Sequence, residues 1–239
     1  MNLNSKTRAA LTLLIAFSLA GCRPVGKSEP TKSEPSLAAQ MAAVRAEKSD
    51  QIQMEQTPVD DDDLRDLASL TNLRVLLLDH PASRISADGL QYLRSLKDLQ
   101  HLRLRGGQID DQALGQIAKL EHLRILNVPQ AIFSDAALES LKQLPDLEQL
   151  RFGNPHVTNA GMKTLAKLPS LKRLHLIDVP ITGEGLRELA QIKQLESLYI
   201  DGGDVSDAAL DELFRQRPDL HVHLNQQHHD RDPHQHPHP

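Results

Sequence analysis

Seven leucines stand at nearly equal intervals along the middle of the chain: Leu73, Leu99, Leu123, Leu147, Leu171, Leu195 and Leu220, at steps of 26, 24, 24, 24, 24 and 25 residues. A period of this size restricts the chain to stacked repeats. One such unit is too short to bury its own apolar face and must share it with its neighbours. Within a period the apolar positions keep one order, seen as Leu147, Leu150, Phe152, Val157, Met162, Leu165 and Leu168, and again as Leu171, Leu174, Leu176, Ile181, Leu186, Leu189 and Ile192. The early x-Leu-x-Leu stretch alternates with a period of two, as a strand does, and the closing Leu-x-x-Leu-x-x-Leu stretch has helical spacing. Each repeat therefore reads as a short strand, a turn and a short helix.

Directly after the central apolar position come Ser86, Asp110, Ser134, Thr158, Thr182 and Ser206. All are residues that accept a bond from an orphan helix N–H, so they form a predicted column of N-caps. Acids follow at Asp111, Asp135 and Asp207, where the helix dipole favours negative charge.

The chain here resembles the leucine-rich repeat family, spelled L-x-x-L-x-L and then a turn and a convex segment. It is most similar to repeats of about 24 residues with an I-T-D-x-G-L-like half, visible as Val157-Thr158-Asn159-Ala160-Gly161-Met162 and Ile181-Thr182-Gly183-Glu184-Gly185-Leu186. The resemblance covers residues 59–225. It implies an α/β solenoid, with short parallel strands on a concave face and short helices on the convex face. The family's Asn or Cys slot holds Pro81, Gly107, Ala131, Pro155, Val179 and Gly203. No Asn or Cys ladder is expected there, and Pro and Gly are expected to shape the bend.

The first 21 residues combine Lys6 and Arg8, an apolar stretch from Ala9 to Ala20, and Leu19-Ala20-Gly21 before Cys22. This pattern predicts a secretory signal, too short to span a bilayer. Leu-Ala-Gly-Cys resembles the bacterial lipoprotein lipobox, which implies lipid attachment at Cys22 and a bacterial envelope location. Arg23 rather than Asp after the Cys favours the outer membrane in that family. Cys22 is the only cysteine, so no intramolecular disulfide is available.

Residues 22–35 contain the tandem Lys27-Ser28-Glu29-Pro30 and Lys32-Ser33-Glu34-Pro35, read as a tether. Residues 36–58 read as a helical cap or a continued stalk, with Leu37, Met41 and Val44 on one face. Asp60 to Asp63 fall at the start of the opening helix, where their charge is stabilising. At the other end Leu220 to Leu224 reads as a last edge strand, and residues 226–239 as a disordered His/Pro-rich tail. Its His228, His229, His234, His236 and His238, with His221 and His223 before it, are candidate ligands for Zn²⁺, Ni²⁺ or Cu²⁺. His-Pro spacing fixes no geometry, so adventitious and physiological metal affinity both remain open.

Side chains alternate along a strand. If the paired leucines point inward, the concave face receives Val75, Leu77 and Asp79; His101, Arg103 and Arg105; Ile125, Asn127 and Pro129; Gln149, Arg151 and Gly153; Arg173, His175 and Ile177; and Ser197, Tyr199 and Asp201. With parallel strands about 4.8 Å apart, Arg103 and Arg151 lie about 10 Å from each other. With Arg105 and Arg173 they predict a positive patch on a chain of formal net charge −5. A guanidinium fork suits a carboxylate or phosphate. The expected partner is a protein or an anionic envelope polymer, the alternative being a solvated face with Glu148 and Glu196 nearby. Nucleic acid is disfavoured: the chain has no Trp and places one aromatic, Tyr199, on that face.

No nucleophile elbow, phosphate loop or His-Glu-x-x-His spacing is present, so neither an enzyme nor a cofactor is expected. His175 beside Arg173 reads as a surface pair without a carboxylate partner. The sequence thus predicts a lipid-anchored repeat module that binds through its concave face. A structural spacer, or metal capture by the tail, stands as the alternative.

Overall fold

The computed structural model describes residues 33–228. The chain divides into Met1–Ser33 and Glu34–Pro239. The signal, Cys22, most of the tether and the tail histidines His229, His234, His236 and His238 lie outside the described residues.

The strands follow one another across a single open sheet in sequence order. They are β1 (Gln51–Met54), β2 (Val75–Leu78), β3 (His101–Leu104), β4 (Ile125–Val128), β5 (Gln149–Gly153), β6 (Arg173–Ile177), β7 (Ser197–Asp201), β8 (His221–Leu224) and β9 (Gln227–His228). The first eight pair in parallel with equivalent repeat positions in register, such as Leu102 beside Leu126 and Leu150 beside Leu174. The inward leucines are fully buried. Each strand returns through a convex segment: α2 (Asp61–Leu67), α3 (Ala87–Leu90), α4 (Asp111–Ile117), α5 (Asn159–Leu165), α6 (Gly183–Leu189) and α7 (Asp207–Gln216), preceded by α1 (Leu37–Arg45). Two stretches, Gln91–Ser95 and Asp135–Gln143, tighten to 3₁₀ helix.

The sheet begins earlier than residue 59. Helix α1 takes the first part of 36–58 and buries Met41 and Val44. The rest supplies β1, with Ile52 and Met54 buried like the later leucines. Ile52 precedes Val59 by the same interval as Leu102 precedes Ile109, a signal hidden because Ile and Met replace Leu. At the other end, Asn225 and Gln226 have φ of 48° and 64°. Two left-handed residues make the tight turn of a hairpin, and β9 folds back antiparallel onto β8. The stretch read as tail from residue 226 therefore begins as strand.

The acids after the N-caps do more than meet a helix dipole. Asp135 accepts the backbone N–H of Thr158 at 2.8 Å and its hydroxyl at 2.7 Å. Asp61 does the same for Ser86, and Asp111 for Ser134. Asn159 matches the pattern with Thr182, accepting from its backbone at 3.0 Å and donating to its hydroxyl at 2.9 Å. These bonds tie one repeat to the next at four of the turns into the helix, and are missing where the acid's position holds Ala87 or Gly183. The motif glycine makes room for them, since a Cβ on Gly161 would lie 2.5 Å from Asp135 Oδ1 and one on Gly185 2.6 Å from Asn159 Oδ1. Five of the six predicted caps accept helix N–H groups. Ser134 has no such bond; the 3₁₀ geometry after it places the N–H groups elsewhere.

One Asn does stabilise a turn, one residue before the family slot. Asn154 is fully buried, donates to the Phe133 carbonyl at 2.7 Å and accepts from the His156 N–H at 2.8 Å. Gly107 bends with φ +89°, whereas in the Gly202-Gly203 pair the left-handed residue is Gly202, at +71°.

Candidate functional site

The register lines up three columns of side chains on the open face of the sheet. The central column runs Leu77, Arg103, Asn127, Arg151, His175, Tyr199 and His223. Beside it run Val75, His101, Ile125, Gln149, Arg173, Ser197 and His221. On the turn side stand Asp79, Arg105 and Asp201, just beyond or at the strand ends.

The arginines differ in surroundings. Arg103 Nε lies 2.6 Å from Oδ1 of Asp79, which is buried. Burial pushes the Asp79 carboxyl above its ordinary pKa, and the Arg103 charge opposes that shift. Arg173 is exposed, with Glu196 at 3.8 Å. Arg151 is half-buried, and its contacts are neutral: Nε donates to His175 Nδ1 at 3.2 Å and a terminal nitrogen meets Asn127 Oδ1 at 3.5 Å. Burial and then the neighbouring Arg103 lower its pKa. Among the described residues, no carboxylate is within ion-pair distance of Arg151 or of exposed Arg105.

His175 is not the surface partner of Arg173. Alternation puts both on the open face, but Arg173 stands exposed in the side column while His175 packs in the central one at 9% exposure. Its Nε2 lies 2.9 Å from Asp201 Oδ2. Because Arg151 can only donate, Nδ1 must accept, so the proton sits on Nε2 and is given to Asp201. Burial holds the His175 pKa below its ordinary value, with Asp201 opposing and Arg151 adding to the shift. Asp201 also accepts the Gln226 N–H through Oδ1 at 3.1 Å, anchoring the β8–β9 turn. The missing signal was distance: Asp201 lies 26 residues from His175, in the next repeat and two strand positions beyond its register partner Tyr199.

His101 is half-buried and lowered to a pKa of about 4, by burial first and the Arg103 charge second. Gln149 sits half-buried between Ile125 and Arg173 in the side column. Tyr199 stacks on His223, ring centroids 4.4 Å apart and planes at 17°, and lies 5.4 Å from His175. His221 and His223, read at first as edge strand and metal candidates, thus extend the same face. Both His175 nitrogens are engaged in holding Arg151 and Asp201, an arrangement that orients a cation rather than one that moves a proton to substrate.

No helix among the described residues is long and apolar enough to cross a membrane. No curated protein matches the chain. Among solved structures, internalin C2 from Listeria monocytogenes aligns over 76% of this chain and 72% of that chain, at 20% identity and a TM-score of 0.55. A leucine-rich repeat protein of Leptospira interrogans aligns over 66% of this chain and 44% of its own length, at 18% identity and a TM-score of 0.46. The sequence profile of the leucine-rich repeat region matches residues 54–222. Repeat period, parallel strand ladder and profile agree, and the chain belongs to the leucine-rich repeat family.

Proposed function

We propose that this chain is a non-catalytic binding module that takes an acidic segment of a partner protein on the open face of its sheet, held at the bacterial envelope by a lipid on Cys22. The observation behind this reading is the state of Arg151. A half-buried guanidinium whose contacts are neutral, with Arg103 and unpaired Arg105 nearby, is an electropositive site that gains from an incoming carboxylate. The His175–Asp201 contact fixes the fork's orientation before a partner arrives, which lowers the ordering cost of binding.

The test is fluorescence polarisation with a labelled Glu-rich peptide on the full chain. Affinity is expected to fall by about tenfold or more between low and high salt, and similarly in Arg105→Glu, whose side chain is exposed. Binding indifferent to both would refute the electrostatic face and leave a spacer role. Stronger binding of an anionic envelope polysaccharide than of the peptide would reassign the partner. Anchoring is tested by detergent-phase partition, which Cys22→Ser is expected to abolish.

A further inference from the structure

The face ends on a second, differently built cluster that the arginine site does not use. His221 and His223 occupy alternate positions of β8 and so share one side of the strand. Their Nε2 atoms lie 2.7 Å apart, with ring planes at 81° and centroids at 4.5 Å. Tyr199 stacks on one ring and meets the other edge-on at 6.4 Å and 80°. The pair is therefore braced by packing from β7. Strand β9 pairs antiparallel with β8 and closes this edge of the sheet.

We propose that His221 and His223 form a chelating pair for a borderline divalent cation, Cu²⁺ or Ni²⁺ before Zn²⁺. Two imidazole nitrogens at about 2.0–2.1 Å from one ion stand about 2.8–3.0 Å apart when they subtend a right angle, and about 3.3–3.4 Å apart in a tetrahedron. The observed spacing is close to the right-angled value, the geometry of tetragonal Cu²⁺ and Ni²⁺ sites. With both rings neutral, the contact at Nε2 needs one donor and one acceptor. When the ion enters, the donating ring moves its proton to Nδ1 and presents Nε2, so both lone pairs converge. The two-residue turn at Asn225–Gln226 contributes by returning the chain beside the pair; Asn225 is fixed there by accepting the Gly202 N–H at 2.9 Å. This places the metal site on folded β8 rather than in the tail, whose other histidines follow it in the sequence.

The chain has two tyrosines and no tryptophan, so Tyr92→Phe leaves Tyr199 as the emitter that reports on the site. In that background the full chain is titrated with Cu²⁺ alone, beside a tail variant carrying His229→Ala, His234→Ala, His236→Ala and His238→Ala, and beside His221→Ala and His223→Ala. One equivalent of Cu²⁺ is expected to quench Tyr199 in the parent and in the tail variant, with recovery on chelation. The β8 variants are expected to need at least about tenfold more ion. Loss of quenching in the tail variant, or its retention in His221→Ala, would overturn the assignment. His221 is half-exposed, so that variant decides the matter if replacing the more buried His223 perturbs the sheet; a urea midpoint for each variant separates the two cases.

Discussion

Removing the Asp135 carboxylate tests whether the repeats are joined by the acid–hydroxyl ladder or only by apolar stacking. Asp135→Ala deletes the acceptor of two bonds at 2.8 and 2.7 Å from Thr158. Bonds to a charged acceptor contribute about 1.5–3 kcal/mol each when buried, but this site is half-exposed and water replaces part of them, so the expected cost is about 2 kcal/mol. Asp135→Asn keeps both contacts in the form the chain already uses at Asn159, and is expected to cost under about 1 kcal/mol. Gly161→Ala drives a methyl to 2.5 Å from Asp135 Oδ1, 2.7 Å from Leu138 and 2.8 Å from Val157, an overpacking expected to cost about 1–3 kcal/mol. Since part of that clash is with the carboxylate, the double variant Asp135→Ala, Gly161→Ala should be less destabilised than the sum. Urea unfolding followed by far-ultraviolet circular dichroism supplies all four midpoints. An unchanged midpoint in Asp135→Ala, or an Asn variant as damaged as the Ala variant, would refute the ladder.

Leu174→Ala, at a fully buried strand position, should lower unfolding free energy by about 2–5 kcal/mol in the same assay. Arg217 is buried near the end of the repeats, donates to the Ile192 and Leu195 carbonyls and pairs with Asp219. Arg217→Ala orphans those carbonyls and is expected to cost about 2–4 kcal/mol. The histidines set a pH dependence. His101 and His175 have folded pKa values below the ordinary one, so the unfolded chain binds more protons at mildly acid pH. Their contribution to stability is present above about 6.5 and is lost as pH falls toward 4, while the raised Asp79 acts in the opposite sense. His101 should titrate near 4 by NMR, and a value near 6.5 would show that its burial is wrong.

How much was legible in advance varies with the range of the interaction. The spacing of the leucines is a property of the chain itself and carries strand, turn and helix with it. The open-face assignment of Arg103, Arg105, Arg151 and Tyr199 followed from alternation alone. Asp79 was placed on that face too, but its role as the buried counter-charge of Arg103 was not visible, because it depends on which carboxylate lies across a strand boundary. β1 was missed because Ile52 and Met54 interrupt the leucine spelling, and β9 because two polar residues carry no strand pattern of their own.

By itself, then, the sequence determined the repeat, the inward and outward faces and the helix starts, since these depend on spacing along a few residues. Tertiary structure decided which atoms meet between repeats: Asp135 with Thr158, His175 between Arg151 and Asp201, and His221 against His223. Those contacts join residues of neighbouring repeats or fix the mutual rotation of side chains on one strand. Stacking and burial select them, and no local pattern records how far a ring or a carboxylate will turn once water has been removed from one side of it.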